Sequence, residues 1–185
     1  LKGCKKIITE ASSIGLDQDR LYPTKFNKVV FTNLSHDHLD YHRTIKKYKI
    51  AKGKLFSKYT LDSSRAIINA DDKYSKYFKN ICKDRKIKVL DYGFNGKFIK
   101  FKSIKLQRNR FKINFLYKKK KFEILINCSS QFEIFNLFAS LIITFEDKLN
   151  ENKFRLIEGL KNSNGRLEKI YDKIFSVYID YAHTP

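Results

Sequence analysis

Methionine and tryptophan are absent from the 185 residues, proline occurs twice, glycine seven times and cysteine three times. Each scarcity excludes something. Cys4, Cys82 and Cys128 are odd in number and far apart, with no CxxC pair, which argues against a disulfide framework or a zinc knuckle. Such usage fits a reducing compartment. No apolar run approaches the roughly eighteen residues that span a bilayer, and the start carries no secretory apolar region. The expected setting is therefore cytoplasmic, with no membrane partner. Neither a GxxxxGK loop ending in Ser or Thr nor a GxGxxG turn occurs, so any phosphate cradle of that kind lies outside these residues. With no Met, and with motifs cut at both ends, the sequence reads as an internal piece of a longer chain.

What is present describes a folded domain. A hydrophobic content of 42% with 15% aromatic residues is enough for a real core at this length. The net charge of +20 suggests a nucleic-acid or other anionic partner. A second cause competes with that reading. The excess is in Lys, alongside abundant Ile, Asn, Phe and Tyr, all residues with AT-rich codons, and the lysines are spread over every segment. The densest run, residues 118–121, lies between Phe115-Leu116-Tyr117 and Phe122 and reads as a solvated hairpin turn. A nucleic-acid partner is not expected, and a basic nucleic-acid-binding module stands as the rival from another class.

The stretch richest in chemistry is 32–56, TNLSHDHLDYHRTIKKYKIAKGKLF. The apolar run Val29-Val30-Phe31 before it predicts a buried strand, which makes Asn33 onward the loop at that strand's carboxyl end, where open α/β sheets place ligands. Thr44 is a helix N-cap candidate, and Ile45, Tyr48, Lys52 and Leu55 follow at helical spacing. Lys52 thus falls on the inward stripe. It must either snorkel to water or occupy a polar cleft in which its amine loses its proton more easily. Asp37, His38 and Asp40 supply oxygen and imidazole donors of the kind a divalent ion at a phosphate site uses.

Along the chain, short apolar strands are predicted at 5–9, 26–31, 66–70 and 86–91, with helices after 44 and over 73–83. Glu10 would stand at the end of the first strand, followed by Ala11-Ser12-Ser13. Alternating strands and helices over 1–92 predict a doubly wound, mostly parallel α/β sheet. From Gly93 the period changes, and strands over 98–106, 111–117 and 122–127 without intervening helices predict a small antiparallel meander. Residues 132–145 read as an apolar helix with Asn136 at its centre. A second helix over 152–161 and a last strand over 175–180 complete the third part, 130–185.

The motifs TNLSHDHLDYH (32–42) with Tyr48 and Ala51-Lys52, EASSIGLDQDR (10–20), INADD (68–72), GRLE (165–168) and DYAHTP (180–185) together resemble the central, ATP-binding domain of the Mur ligases. The likeness is greatest to the branch that adds a diamino acid. It implies a cytoplasmic peptidoglycan-precursor ligase that uses ATP and Mg2+ to form an acyl phosphate on UDP-MurNAc-L-Ala-D-Glu, which meso-diaminopimelate or L-lysine then attacks. It makes Glu10 and His38 magnesium ligands and Lys52 a catalytic lysine, carbamylated so that it too faces the metal. Ser12, Gln18 and Arg20 would contact the UDP-muramoyl dipeptide, and Asn136, Arg166 and Asp180 the ATP. The protein would be a monomer whose UDP-binding and amino-acid-binding domains flank 1–185, and the fragment alone would be inactive. Ser130 and Glu133 stand where the family usually has other residues, and Ile14 stands where histidine is common. Other readings are another Mur ligase, a folylpolyglutamate synthetase, or a non-catalytic relic.

Overall fold

Six strands form one sheet whose spatial order follows the chain: β1 (Phe26–Phe31), β2 (Thr60–Asn69), β3 (Lys88–Gly93), β4 (Ile99–Gln107), β5 (Arg110–Tyr117) and β6 (Lys120–Ile126). The structure is a computed structural model describing residues 3, 5–35, 37–108, 110–160, 165 and 168–181. The first four strands pair in parallel and the last three form the antiparallel meander. A separate antiparallel pair follows, β7 (Glu168–Asp172) with β8 (Ser176–Ile179). The helices are α1 (Ser13–Asp17), α2 (Leu39–His42), α3 (Ile45–Ser57), α4 (Ser75–Asp84), α5 (Gln131–Phe145) and α6 (Glu151–Arg155). This is the α/β architecture with a parallel sheet and a meander that the patterning predicts.

Parallel strands covered on both faces must be apolar on both, and β2 shows it. Ala66 and Ile68 join Val29, Phe31, Tyr48, Phe56 and Phe78 in the core under α3 and α4. Ile67, with Leu90 of β3, joins the other core, under α5 and α6. That second core is aromatic: Phe101 and Phe115 meet Phe138 edge-on at 4.7 and 5.1 Å, and Phe115 meets Phe154 at 4.8 Å. Near the end of α5, the carbonyl of Ile143 accepts from Lys28 Nζ in β1 at 2.8 Å. Near its start, Phe135 packs on Tyr92 at the end of β3. The helix therefore runs against the parallel strands, and its N-terminus lies at their carboxyl edge.

Two aspartates set the turn between β3 and β4. Asp91 accepts from the N–H groups of Lys97 and Phe98 at 2.8 and 2.9 Å, and from Lys79 Nζ at 2.5 Å. Asp71 accepts from the N–H groups of Phe94 and Asn95. Gly93 is required here: its φ is +120°, and a Cβ would come within 2.5 Å of Asp71 Oδ2. In the β5–β6 hairpin, Lys118 and Lys119 both have positive φ and are exposed, as in a tight primed turn.

Three expectations are corrected. Residues 5–9 form no strand. They are exposed, Ile8 at 98%, and make no ladder, although β1 is the sheet's edge strand. An apolar run becomes a strand only when a neighbour takes its backbone hydrogen bonds. The strand expected over 175–180 exists as β8, but it pairs with β7, which the pattern did not predict. The helix expected over 152–161 is the shorter α6, followed by turns to Gly159, and residue 161 lies outside the described residues. Among the described residues no helix is long and apolar enough to cross a membrane.

Candidate active site

The loop leaving β1 is held from β2. Asn69 Nδ2 donates to the carbonyl of Thr32 at 2.9 Å, and Asp72 Oδ2 accepts from the N–H of Leu34 at 2.9 Å. The INADD segment thus fixes the base of the loop that carries Asp37 and His38. His38 itself has φ 53° and precedes α2 as its N-cap residue, while Arg43 at the other end has φ 62°. Left-handed backbone at two non-glycine residues costs on the order of 1–3 kcal/mol each, and the surrounding contacts must hold it in place. One contact is local: the His38 N–H donates to Asp37 Oδ1 at 2.8 Å.

Lys52 lies in the middle of α3, whose first turn is capped by Thr44 Oγ1 accepting from the Lys47 N–H at 3.2 Å. Its Nζ is half-buried, 5.9 Å from the centroid of the Tyr48 ring, with the carbonyl of Ala11 at 3.5 Å. Burial pushes the Lys52 ammonium below its ordinary pKa, and Glu10 and Asp37 pull it back up. The inward position predicted from helical spacing is therefore the polar cleft, within electrostatic reach of two carboxylates.

Opposite α3 lies the segment bearing Glu10. Glu10 is exposed and outside any strand, so it does not stand at a strand end as expected. Its charge acts on Lys52, opposing the effect of burial. Ser12 is the N-cap of α1, its Oγ accepting from the Gly15 N–H at 3.1 Å, and Gln18 is the C-cap. The Arg20 N–H returns to the carbonyl of Gly15 at 2.9 Å. The three residues expected at the dipeptide therefore share one short helix and the turn after it, and all three are exposed.

Glu10, Asp37 and His38 are hard-oxygen and imidazole donors, which suits magnesium in kind. Among the described residues, no three His, Cys, Asp or Glu side chains are gathered closely enough to hold a metal ion. A third anionic donor would come from Lys52 if it were carbamylated.

On the other face of the sheet, Asn136 is exposed on α5, one turn after Glu133. Burial pushes the Glu133 carboxyl up, and Asp180 adds to that shift. The end of β8 is thus within electrostatic reach of the start of α5, bringing together Asn136's helix and Asp180. Arg166 lies outside the described residues, as do 182–185 of DYAHTP. The two atypical residues have a structural use: Ser130 Oγ accepts from the Glu133 N–H, and Glu133 Oε2 accepts from the Ser129 N–H at 3.1 Å. That is a capping arrangement whose Ser-x-x-Glu spacing was visible in the sequence. Sequence reasoning also missed the pairing of Ser13 with His42, for which no local signal exists.

A mostly parallel sheet with polar loops at its carboxyl edge and an inward lysine defines the class as an open, mixed α/β domain. The Mur ligase middle domain family matches residues 1–144, and the chain belongs to that family. It is 37% identical over 183 residues to the UDP-N-acetylmuramoyl-L-alanyl-D-glutamate--2,6-diaminopimelate ligase of Aquifex aeolicus, covering 99% of this chain and 37% of that protein. A solved structure of a ligase of that name superposes with a TM-score of 0.76 at 28% identity, over 94% of this chain and 36% of the other. MurF ligase from Thermotoga maritima, solved in complex with ADP, shares the fold at a TM-score of 0.67 and 16% identity, over 85% of this chain and 35% of that one. The chain spans a little over a third of the length of these relatives.

Proposed function

We propose that this chain is the central, ATP-binding part of a MurE-type ligase of peptidoglycan-precursor synthesis. The ligase would join meso-diaminopimelate or L-lysine to UDP-MurNAc-L-Ala-D-Glu through an acyl phosphate. The observation that carries the reading is Lys52: half-buried on α3, its amine loses its proton more easily than in water, and the carboxylates of Glu10 and Asp37 are within electrostatic reach of it. A neutral amine is what reacts with carbon dioxide, and the carbamate formed is an anion. Glu10, His38 and that carbamate would hold Mg2+, which when bound offsets the charge that accumulates as a phosphoryl group approaches a carboxylate.

The exposed face of α1 with Ser12, Gln18 and Arg20 would orient the dipeptide. Asn136, Arg166 and Asp180 would bind ATP, the first of them on the helix that points its N-terminus at the carboxyl edge. The division of 1–185 into an α/β part to 92, a meander to 129 and a helical remainder, flanked by further domains, belongs to the same reading. So do a monomeric state and a cytoplasmic setting.

The test is a ligation assay with ATP, Mg2+, UDP-MurNAc-L-Ala-D-Glu and each diamino acid in turn. It compares residues 1–185 alone with the same residues grafted in place of their counterpart in the Aquifex aeolicus ligase. The graft should release phosphate and form the tripeptide, and Lys52→Ala should abolish both. Turnover by 1–185 alone, or an active Lys52→Ala graft, would refute the proposal.

A further inference from the structure

His42 is four residues beyond His38, outside the metal set proposed above, and it is the most buried of the described histidines at 4% exposure. Its Nε2 lies 2.9 Å from Ser13 Oγ, a residue with no exposed surface. Its ring stacks on Tyr48 with centroids 5.3 Å apart and planes 22° apart. Tyr48 in turn meets the edge of the His38 ring at 6.1 Å and has Lys52 Nζ near its face. One side chain thus touches α1 through Ser13 and α3 through Tyr48, while being part of α2.

The segment just before Ser13 has little else to order it. Residues 5–12 have no regular structure, and residues 5–10 are exposed. α1 itself is anchored by Leu16, which has no exposed surface, and at its far end by Tyr41 donating to Asp17 Oδ2 at 3.3 Å and by Lys54 Nζ on the carboxylate and carbonyl of Asp17, each at 2.9 Å. Surface ion pairs of this sort contribute little. At the end nearer Glu10, the buried Ser13–His42 bond is the tie beside the long contact of Lys52 with Ala11. Loss of one partner would leave the other polar group buried and unpaired, which costs more than the bond's net worth.

We infer that His42 is a positioning residue, a latch that through Ser13 and Tyr48 holds the Glu10 segment against the helix carrying Lys52 and steadies the left-handed turn carrying His38. This rests on the proposed reading of Glu10, His38 and Lys52 as a metal site. Burial also pushes His42 below its ordinary pKa, and Nε2 either donates to Ser13 or accepts from it, according to tautomer.

The test uses the full chain as wild type, His42→Phe, which keeps the stacking and loses the bond, and His42→Gln, whose amide can restore it. Amide hydrogen exchange is read at 11–17 and, as an internal control, in β2 and β5. Mn2+, as a magnesium probe, is titrated by electron paramagnetic resonance. His42→Phe should speed exchange at 11–17 about tenfold or more with the strands unchanged and weaken Mn2+ at least fivefold, and His42→Gln should recover most of both. Unchanged exchange at 11–17, or faster exchange everywhere, would overturn the latch. Equal Mn2+ affinity in wild type and His42→Phe would overturn its service to the metal site. A wild type that binds no Mn2+ would instead sink the metal reading itself, and the positioning role with it.

Discussion

The two sides of the sheet are held by different chemistry. Under α5 and α6 the core is a set of interlocking aromatic rings among isoleucines and leucines, its polar atoms few and including the hydroxyls of the buried Tyr92 and Tyr117. Under α3 the apolar core is smaller, and the 32–38 loop, α1 and α2 add few apolar side chains, among them Leu34 and Leu16, to polar contacts from Asn69, Asp72, Ser13 and Lys54. Apolar packing is non-directional and tolerates small shifts, whereas a buried hydrogen bond demands one geometry. A scaffold benefits from the first, and a site whose donors must converge benefits from the second.

The largest expected effect is on the aromatic side. Phe138→Ala should cost about 3–5 kcal/mol, measured by urea denaturation. If the α3 side melts at the same denaturant concentration, the two cores form one cooperative unit, and separate transitions would make them independent ones. Next comes Asp91, where burial raises the carboxyl pKa but Lys79 and the N–H groups of Phe98 and Lys97 outweigh it and hold it below the ordinary value. Asp91→Ala should cost about 2 kcal/mol, since three hydrogen bonds are lost but Lys79 is part-exposed. The stability this carboxylate contributes is present above the unfolded pKa and fades as pH falls through the folded one, so the wild type and variant curves should converge in acid.

Smaller again is Ser130→Ala, which removes the cap of α5 and should cost about 1 kcal/mol, read as a lowered midpoint in thermal denaturation. The smallest effect tests the polar side. His42 is depressed by burial and by His38 and Lys52, against which Asp17 and Asp40 act. Below pH 6.5 the unfolded chain therefore takes up this proton first, and stability should fall as pH drops toward the folded value. His42→Gln should flatten that slope. An unchanged slope would assign it to other groups.

Much of this was legible in order along the chain. β1 falls on the residues predicted, α3 begins at Thr44's cap, and the meander strands agree to within two residues, because each is marked by period, turn or cap. Misreadings have a common cause. Ile7-Ile8 has the composition of a strand and lacks a partner, and β7, polar and exposed, has a partner and lacks the composition. Lys52's inward face was readable from spacing, but its neighbours were not.

By itself, then, the sequence determined the local elements, their caps and the set of chemical groups available, since these depend on residues a few positions apart. The tertiary structure decided which of those groups meet. Ser13 and His42 are 29 positions apart, and Lys52 and Ala11 are 41. Periodicity says which way a side chain faces, and only the path of the backbone through the sheet says what it faces.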